Sequence, residues 1–240
     1  MGINGYQKLT LLDYPGRIAT SVFFDGCDFR CPWCHNLALA MGSHEQSCTE
    51  KDFFDYVTKR AGIIDGVAIT GGEPLLYPKL EDIILRIRDL GLLVKLDTNG
   101  YHPDRLIRLM DSNLIDYVAM DIKNSLSRYQ ITIDIPNFRP ENIERSIEII
   151  LGSGIDHEFR TTVVREYHDD DSFAEIGPLI KGAQLYALQK YTYHEAVTNQ
   201  KRFHEPTEED MLRYRDIVHP YVDNIIIRGM DITQSNNQEE

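Results

Sequence analysis

Three cysteines lie within eight positions of this 240-residue chain, in the stretch VFFDGCDFRCPWCHN at residues 22–36. They are Cys27, Cys31 and Cys34, and the one remaining cysteine, Cys48, stands apart from them. Secreted disulfide frameworks use paired cysteines, whereas clustered thiols in a reducing compartment bind metals or carry out redox chemistry. The spacing therefore indicates a metal or redox centre.

Three kinds of centre fit these thiols to different degrees. A structural zinc site prefers four ligands in a closed tetrahedron, and the fourth ligand here would be His35, adjacent to Cys34, or the distant Cys48. A thioredoxin-type disulfide would use the CPWC stretch at 31–34 and leave Cys27 unexplained. A [4Fe-4S] cluster held by three cysteines leaves one iron without a protein ligand, and an open metal position is a place for chemistry.

Alternating strands and helices must position this centre. Apolar runs typical of strands buried on both faces of a parallel sheet occur at residues 18–24, 66–70, 92–97, 117–122, 158–164, 185–191 and 224–228. Helical periodicity or helix start and stop signals occur at residues 49–57, 80–91, 140–154 and 207–218. Since no linker interrupts the alternation, we predict one domain over residues 1–230, with a lead-in at 1–17 and a polar, mobile tail at 231–240.

The order of these elements predicts the fold class. Six strand-then-helix units in series imply right-handed crossovers and a parallel sheet, either open or curled into a barrel. An eight-unit barrel typically needs about 250 residues. The six units counted in this chain leave room only for a partial barrel. We predict an α/β protein with a partial (βα)6 TIM-like barrel and outer helices.

Unusual residues follow most of the predicted strands. The cysteine segment comes after the strand at 18–24, and the later strands end in GGEP (71–74), DTNG (97–100), DIK (121–123) and YTYHE (191–195). Taken singly, Gly-Gly and Asn-Gly are common turn dipeptides, and Asp121 with Lys123 forms no more than an ion pair. Because ligand sites of parallel α/β folds form at the carboxyl ends of the strands, their coincidence predicts one shared site.

The motifs also resemble those of a known superfamily. CDFRCPWC at 27–34 is similar to the C-x3-C-x2-C signature of the radical S-adenosylmethionine (radical SAM) enzymes, with Trp33 before the last cysteine, and GGEP resembles their motif for the methionine amino group. More closely, residues 7–36 resemble the activating proteins of anaerobic ribonucleoside-triphosphate reductase and, more broadly, the glycyl-radical enzyme activases. The resemblance thins beyond about residue 135.

This resemblance implies a cofactor and a reaction. Cys27, Cys31 and Cys34 would hold a [4Fe-4S] cluster with one open iron, to which SAM binds through its amino and carboxylate groups. An electron from a low-potential donor such as flavodoxin or ferredoxin would split SAM into methionine and a 5'-deoxyadenosyl radical. In the activases that radical abstracts hydrogen from a glycine of a partner glycyl-radical enzyme, here expected to be anaerobic ribonucleoside-triphosphate reductase.

The resemblance further assigns roles around SAM. Gly71 and Gly72 would let the backbone approach its methionine end, and Glu73 would accept hydrogen bonds from its ammonium group. Asp97 and Asn99 would bond ribose hydroxyls, and Lys123 would offer a cation near a carboxylate. Asp121 would hold that lysine or contact the substrate backbone, while Asn36 and His194 would lie on the SAM side of the site. Arg160 is predicted to be either a polar ligand or a solvated ion-pair partner.

Charge and hydropathy limit the partners. A net charge of -13 at pH 7 and a pI near 5.0 argue against direct binding to nucleic acid or to an anionic membrane. The sequence shows no membrane-spanning apolar run and no signal peptide pattern, so we predict a cytoplasmic protein. The loop at 124–140 is a candidate for part of the partner-binding face. Two rival hypotheses are a radical SAM enzyme acting on a small molecule or another peptide, and a zinc-binding module.

Overall fold

A single sheet of eight strands, in sequence order, runs through the part of the chain that this computed structural model describes, residues 2–43, 45–193 and 203–230. The strands are β1 (Ile3–Thr10), β2 (Ala19–Phe24), β3 (Gly66–Gly71), β4 (Leu93–Thr98), β5 (Tyr117–Asp121), β6 (Asp156–Val163), β7 (Tyr186–Lys190) and β8 (Ile225–Arg228). Each strand from β2 to β8 pairs in parallel with the next, while β1 pairs antiparallel with β2.

Helices connect the parallel strands. They are α1 (Leu37–Ala40), α2 (Glu50–Arg60), α3 (Leu80–Asp89), α4 (Pro103–Asp111), α5 (Leu126–Ile133), α6 (Pro140–Ser153), α7 (Asp170–Leu179) and α8 (Glu208–Val218), with short 3-10 helices at Pro74–Leu76 and His219–Tyr221. Repeated strand–helix units around one parallel sheet confirm the predicted partial barrel. Among the described helices, none combines the length and apolarity needed to span a bilayer.

One prediction about the chain's organisation needs correction, and another gains detail. The predicted lead-in at residues 1–17 contains β1, which pairs with one edge of β2 through antiparallel hydrogen bonds. The segment at 124–140 is not a simple loop, because α5 occupies its middle and buries Tyr129 and Ile133. The predicted tail at 231–240 lies outside the described residues.

Local sequence signals explain the helix boundaries. Thr49 and Asp52 form a reciprocal capping box at the start of α2, and Thr207 and Asp210 form another at the start of α8. In α3 an apolar stripe is fully buried against the sheet, and the chain then turns through Gly91, whose φ of 74° is left-handed. These signals fix where each crossover returns to the sheet.

The strands expose different chemistry on their two faces. On β4, Val94 and Leu96 are buried on one face, whereas the alternating Lys95 and Asp97 belong to the other. Charged residues recur in the same alternation on β6, where Arg160 is paired in register with Asp121 of β5. The inner face of the partial barrel therefore carries charged side chains, and these extend to the carboxyl ends of the strands.

Candidate active site

The three clustered cysteines face one cavity at the carboxyl ends of the parallel strands. The cavity has a volume of about 210 Å³, and Cys27, Cys31 and Cys34 all line it. Most of the other predicted site residues line it as well, namely Asn36, Gly71, Gly72, Asp97, Asn99, Asp121, Lys123 and Arg160. The structure thus brings together residues that are spread over more than half of the sequence. His194 lies outside the described residues.

Backbone hydrogen bonds hold the cysteine segment in place. The Gly26 and Cys27 amides donate to the carbonyls of Leu39 and Ala40 in α1, at 2.9 and 3.0 Å. Further along, the Arg30 amide donates to the carbonyl of Ile133 at the end of α5, at 2.8 Å. The segment is therefore tied to helices on both of its sides.

Trp33, the aromatic residue before the last cysteine, anchors the segment by packing. It is 3% exposed, and its ring centroid lies 4.6 Å from that of Tyr167 and 6.1 Å from that of His168. Both partners belong to the loop between β6 and α7. The indole thus joins the cysteine segment to a distant strand end.

The donor set suits an iron–sulfur cluster. Burial raises the pKa of Cys27 to about 12 and that of Cys31 to about 11, and a thiol must lose its proton to become a metal ligand. Among the described residues, no three His, Cys, Asp or Glu side chains converge on a point for a single ion. The three cysteines line the same cavity, and cysteine thiolates are the usual ligands of iron–sulfur clusters. Cys48 does not line it.

Gly71 and Gly72 let the chain pass very close to the cysteine segment. Gly71 has a φ of 116°, a conformation that residues with a side chain rarely adopt. A Cβ on Gly72 would lie 2.0 Å from the carbonyl oxygen of Gly26, immediately before the first cysteine. The two glycines therefore permit the contact between β3 and the cysteine segment, in addition to lining the cavity.

Glu73 lies beneath the cavity wall and does not line it. Its side chain is buried, and its carboxylate accepts hydrogen bonds from the Leu75 amide (2.9 Å), the Thr98 hydroxyl (3.0 Å) and the Asn99 amide (2.6 Å). Burial raises its pKa to about 7. The observed bonds make Glu73 a brace for the loop after β4, and its predicted bond to a SAM ammonium group stays a prediction.

A network of largely buried charges forms the floor of the cavity. Arg160 donates to Asp121 at 2.8 Å and to Asp97 at 3.2 Å, and Lys123 donates to Asp121 at 2.9 Å. Burial alone would raise the pKa of both carboxyl groups. Arg160 and Lys95 instead hold the pKa of Asp97 below its ordinary value, and Arg160 and Lys123 do the same for the pKa of Asp121. Arg160 is thus a buried ion-pair partner that also lines the cavity.

Replacing Arg160 with methionine is expected to destabilise the fold by about 3 kcal/mol, the lower end of the range for buried pairs, because two largely buried carboxylates lose their shared cation. Lysine at this position keeps the charge but cannot reach both carboxylates with a planar fork, so Arg160→Lys should recover only part of the loss. The free energy of unfolding in urea measures both effects. Arg128→Met, which removes an exposed ion pair with Asp169, should cost less than about 1 kcal/mol. Equal losses for Arg160→Met and Arg128→Met would contradict this reading.

His168, which sequence reasoning missed, fixes the backbone beside Lys123. Its Nδ1 accepts from the Val164 amide at 3.1 Å, and its Nε2 donates to the Lys123 carbonyl at 2.9 Å. Burial lowers the pKa of His168 below its ordinary value. No spacing rule connects His168 with Lys123, so only the fold reveals the contact.

The lowered pKa predicts an acid-sensitive contact. The folded state keeps His168 neutral, whereas the unfolded chain takes up a proton below about pH 6.5, so stability should fall as the pH drops through and below that value. The free energy of unfolding should therefore fall less in His168→Gln than in wild type between neutral and mildly acid pH, as measured by denaturant unfolding. A His219→Gln variant, changed at an exposed position, should show the same fall as wild type. An unchanged fall in His168→Gln would contradict the assignment.

Known proteins resemble this chain in sequence and in fold. The profile of the radical SAM superfamily matches residues 21–176. A protein of Methanocaldococcus jannaschii, named as a candidate glycyl-radical enzyme activating enzyme, is 30% identical over 239 residues, covering 96% of this chain and 97% of its own. The pyruvate formate-lyase-activating enzyme of Clostridium pasteurianum is 35% identical over 133 residues, covering 51% of this chain and 52% of its own.

Solved structures share the fold. Streptococcus suis SuiB, solved with S-adenosylmethionine, superposes with a TM-score of 0.67 at 16% identity, covering 91% of this chain and 54% of its own. A domain of a pyruvate-formate lyase-activating enzyme from Bacteroides vulgatus gives a TM-score of 0.54 at 21% identity, covering 68% of this chain and 99% of its own. Both likenesses concern the fold alone.

The chain belongs to the radical SAM superfamily. That membership implies a [4Fe-4S] cluster and SAM. Its similarity to the Methanocaldococcus jannaschii relative, over nearly the whole of both chains, makes it an enzyme of the glycyl-radical enzyme activating type.

Proposed function

We propose that this chain installs a glycyl radical on anaerobic ribonucleoside-triphosphate reductase. The observation that carries the proposal is the single cavity that contains three cysteines and the end residues of four parallel strands. The choice of this reductase rests on the resemblance of residues 7–36 to its activating proteins. The names of the relatives support the activase reaction without specifying the partner.

Cys27, Cys31 and Cys34 would hold the cluster and leave one iron for SAM. When bound, the cluster and SAM supply a one-electron cleavage whose radical product removes a hydrogen atom from the partner's glycine. The burial of Cys31 and Trp33 keeps bulk water from the inner side of the cysteine segment. The protein thereby shields and orients the cluster and SAM, while these cofactors supply the reactivity.

The strand ends would position SAM. Gly71 and Gly72 leave room for its methionine end, and Lys123, already held by Asp121, offers a cation to a carboxylate. Asp97 would face the ribose hydroxyls from the end of β4, as acidic residues do in dinucleotide sites.

Four further predicted contacts belong to the same proposal. Asn36 lines the cavity from the end of the cysteine segment, and Asn99 lines it from the loop after β4. His194 would approach SAM from the segment that follows β7. Glu73, whose carboxylate also accepts a hydrogen bond from the Asn99 amide, would accept hydrogen bonds from the SAM ammonium group.

Two protein partners follow from the reaction. A low-potential donor such as flavodoxin or ferredoxin would deliver the electron, because cleavage of a sulfonium needs the low end of the iron–sulfur range. The glycyl-radical enzyme would present its glycine to the cavity, with residues 124–140 as a candidate part of the contact face. The net charge of -13 disfavours nucleic acid as a substrate.

An electron paramagnetic resonance experiment tests the choice of substrate. The anaerobically reconstituted chain would be incubated with SAM, a low-potential reductant and an anaerobic ribonucleoside-triphosphate reductase, with Cys31→Ala as the inactive control. We expect the reductase to gain a glycyl-radical doublet only with the wild-type chain. If no candidate glycyl-radical enzyme gains the doublet while a small molecule or another peptide stimulates SAM consumption, the proposal is wrong.

A further inference from the structure

A hydrogen-bonded trio of side chains lies directly beside the first cluster cysteine. Asp28 follows Cys27 in the chain, and its Oδ1 lies 4.0 Å from the cysteine sulfur. The same Oδ1 accepts a hydrogen bond from the side-chain amide of Asn99 at 2.8 Å, and this amide lies 3.9 Å from the sulfur. The other carboxylate oxygen, Oδ2, lies 2.8 Å from Nε2 of His102.

Tertiary structure brings the three side chains together, because Asn99 and His102 are far from Asp28 in the sequence. His102 stands at the start of α4 and lies 74 residues from Asp28 in the chain. Asn99 is fixed by its backbone bond to Glu73 and by its own side-chain oxygen, which accepts from the Tyr101 amide at 2.9 Å. Both Asp28 and His102 are about three-quarters buried, so water screens their charges only in part.

A carboxylate beside a cluster sulfur affects the electron that the cluster accepts. The cluster gains one negative charge on reduction, and a nearby negative charge disfavours the reduced state and lowers its reduction potential. A base that neutralises or hydrogen-bonds that carboxylate offsets the effect. Asp28 and His102 therefore act on the cluster in opposite directions.

We propose that the Asp28–His102 pair sets the reduction potential of the cluster, with Asp28 lowering it and His102 limiting how far it falls. The inference rests on the proposed function, since it requires that Cys27 ligate the cluster. A low potential favours electron transfer to SAM, so Asp28 contributes driving force for the cleavage. His102 is a positioning residue that acts through Asp28 and does not touch the reacting atoms.

Potentiometric titration of the reconstituted enzyme, followed by electron paramagnetic resonance of the reduced cluster, tests this pair. In Asp28→Asn the carboxylate charge is lost, and we expect the ratio of reduced to oxidised cluster at a fixed potential to rise by about tenfold, or about 59 mV for one electron. In His102→Phe the carboxylate loses its partner, and the ratio should fall. His102→Gln, which can still donate to Asp28, should lie closer to wild type.

A matched control and a double variant separate the charge effect from general disruption. Asp116 pairs with Arg88 at a similar exposure but precedes β5, at the opposite ends of the strands, so Asp116→Asn should leave the potential unchanged. In the Asp28→Asn background, the further change His102→Phe should have little effect, because no carboxylate remains to be offset. If Asp28→Asn does not assemble a cluster, the comparison of His102→Phe with His102→Gln decides.

The possible results distinguish this inference from the proposed function. Shifts of opposite sign for Asp28→Asn and His102→Phe support the pair. If wild type assembles the cluster and cleaves SAM but the variants share its potential, or shift in the same direction, the inference fails alone. If wild type assembles no cluster, the proposed function fails as well.

Discussion

Replacing Cys31 with alanine is expected to abolish SAM cleavage, lowering release of 5'-deoxyadenosine by more than about 100-fold. Loss of an outer-shell partner of a metal ligand already costs about 10–100-fold in metal affinity or activity, and this change removes a ligand itself. Cys31 is the most buried of the three cysteines, so water cannot readily replace its sulfur. Iron and sulfide content and product release, both measured after anaerobic reconstitution, test the prediction.

The fourth cysteine provides a matched control. Cys48 is half-buried beside β1, where its amide donates to the carbonyl of Asn4 at 3.2 Å, and its side chain does not line the cavity. Cys48→Ala should therefore assemble a cluster and cleave SAM as wild type does, whereas Cys27→Ala and Cys34→Ala should resemble Cys31→Ala. An inactive Cys48 variant, or an active Cys31 variant, would mean that the ligands are misassigned.

Replacing Gly72 with alanine is expected to disrupt the site through the backbone alone. The new methyl group would lie 2.0 Å from the carbonyl oxygen of Gly26 and 2.7 Å from its carbonyl carbon, so the cysteine segment must move. Overpacking of this kind costs about 1–3 kcal/mol, and occasionally more. We expect a lower free energy of unfolding together with reduced cluster occupancy, measured by urea unfolding and by iron content.

Gly152 offers the comparison for this substitution. It lies within α6, and a Cβ there meets no atom within 4 Å. Because alanine favours a helix interior by about 1 kcal/mol over glycine, Gly152→Ala should be neutral or stabilising and should leave the cluster intact. If Gly72→Ala behaves like Gly152→Ala, the close approach between β3 and the cysteine segment is not needed for the site.

The parallel strands were predictable because their burial on both faces leaves a simple signal. The apolar runs at 66–70 and 117–122 match β3 (Gly66–Gly71) and β5 (Tyr117–Asp121) to within one residue. β1 was missed because three of its consecutive residues are exposed and its apolar content is low. Its place in the sheet depends on pairing with β2, and no local pattern encodes that pairing.

The site was predictable as a set of strand ends, but its internal contacts were not. Apolar strands followed by Cys, Gly and Asp residues indicated that the cavity would form, and the structure assembles it. The sequence did not show that the Glu73 carboxylate would also accept a hydrogen bond from the Asn99 amide and so brace the loop after β4. Nor could it show the pairing of Asp28 with His102, because such contacts depend on tertiary geometry.

Anaerobic reconstitution with iron and sulfide, followed by SAM and dithionite, tests the central claim most directly. We predict about four irons and four sulfides per chain, as for a [4Fe-4S] cluster, a visible absorption band that dithionite bleaches, and release of 5'-deoxyadenosine that depends on Cys27, Cys31 and Cys34. Stoichiometric zinc bound by these cysteines, with no 5'-deoxyadenosine formed, would contradict the account.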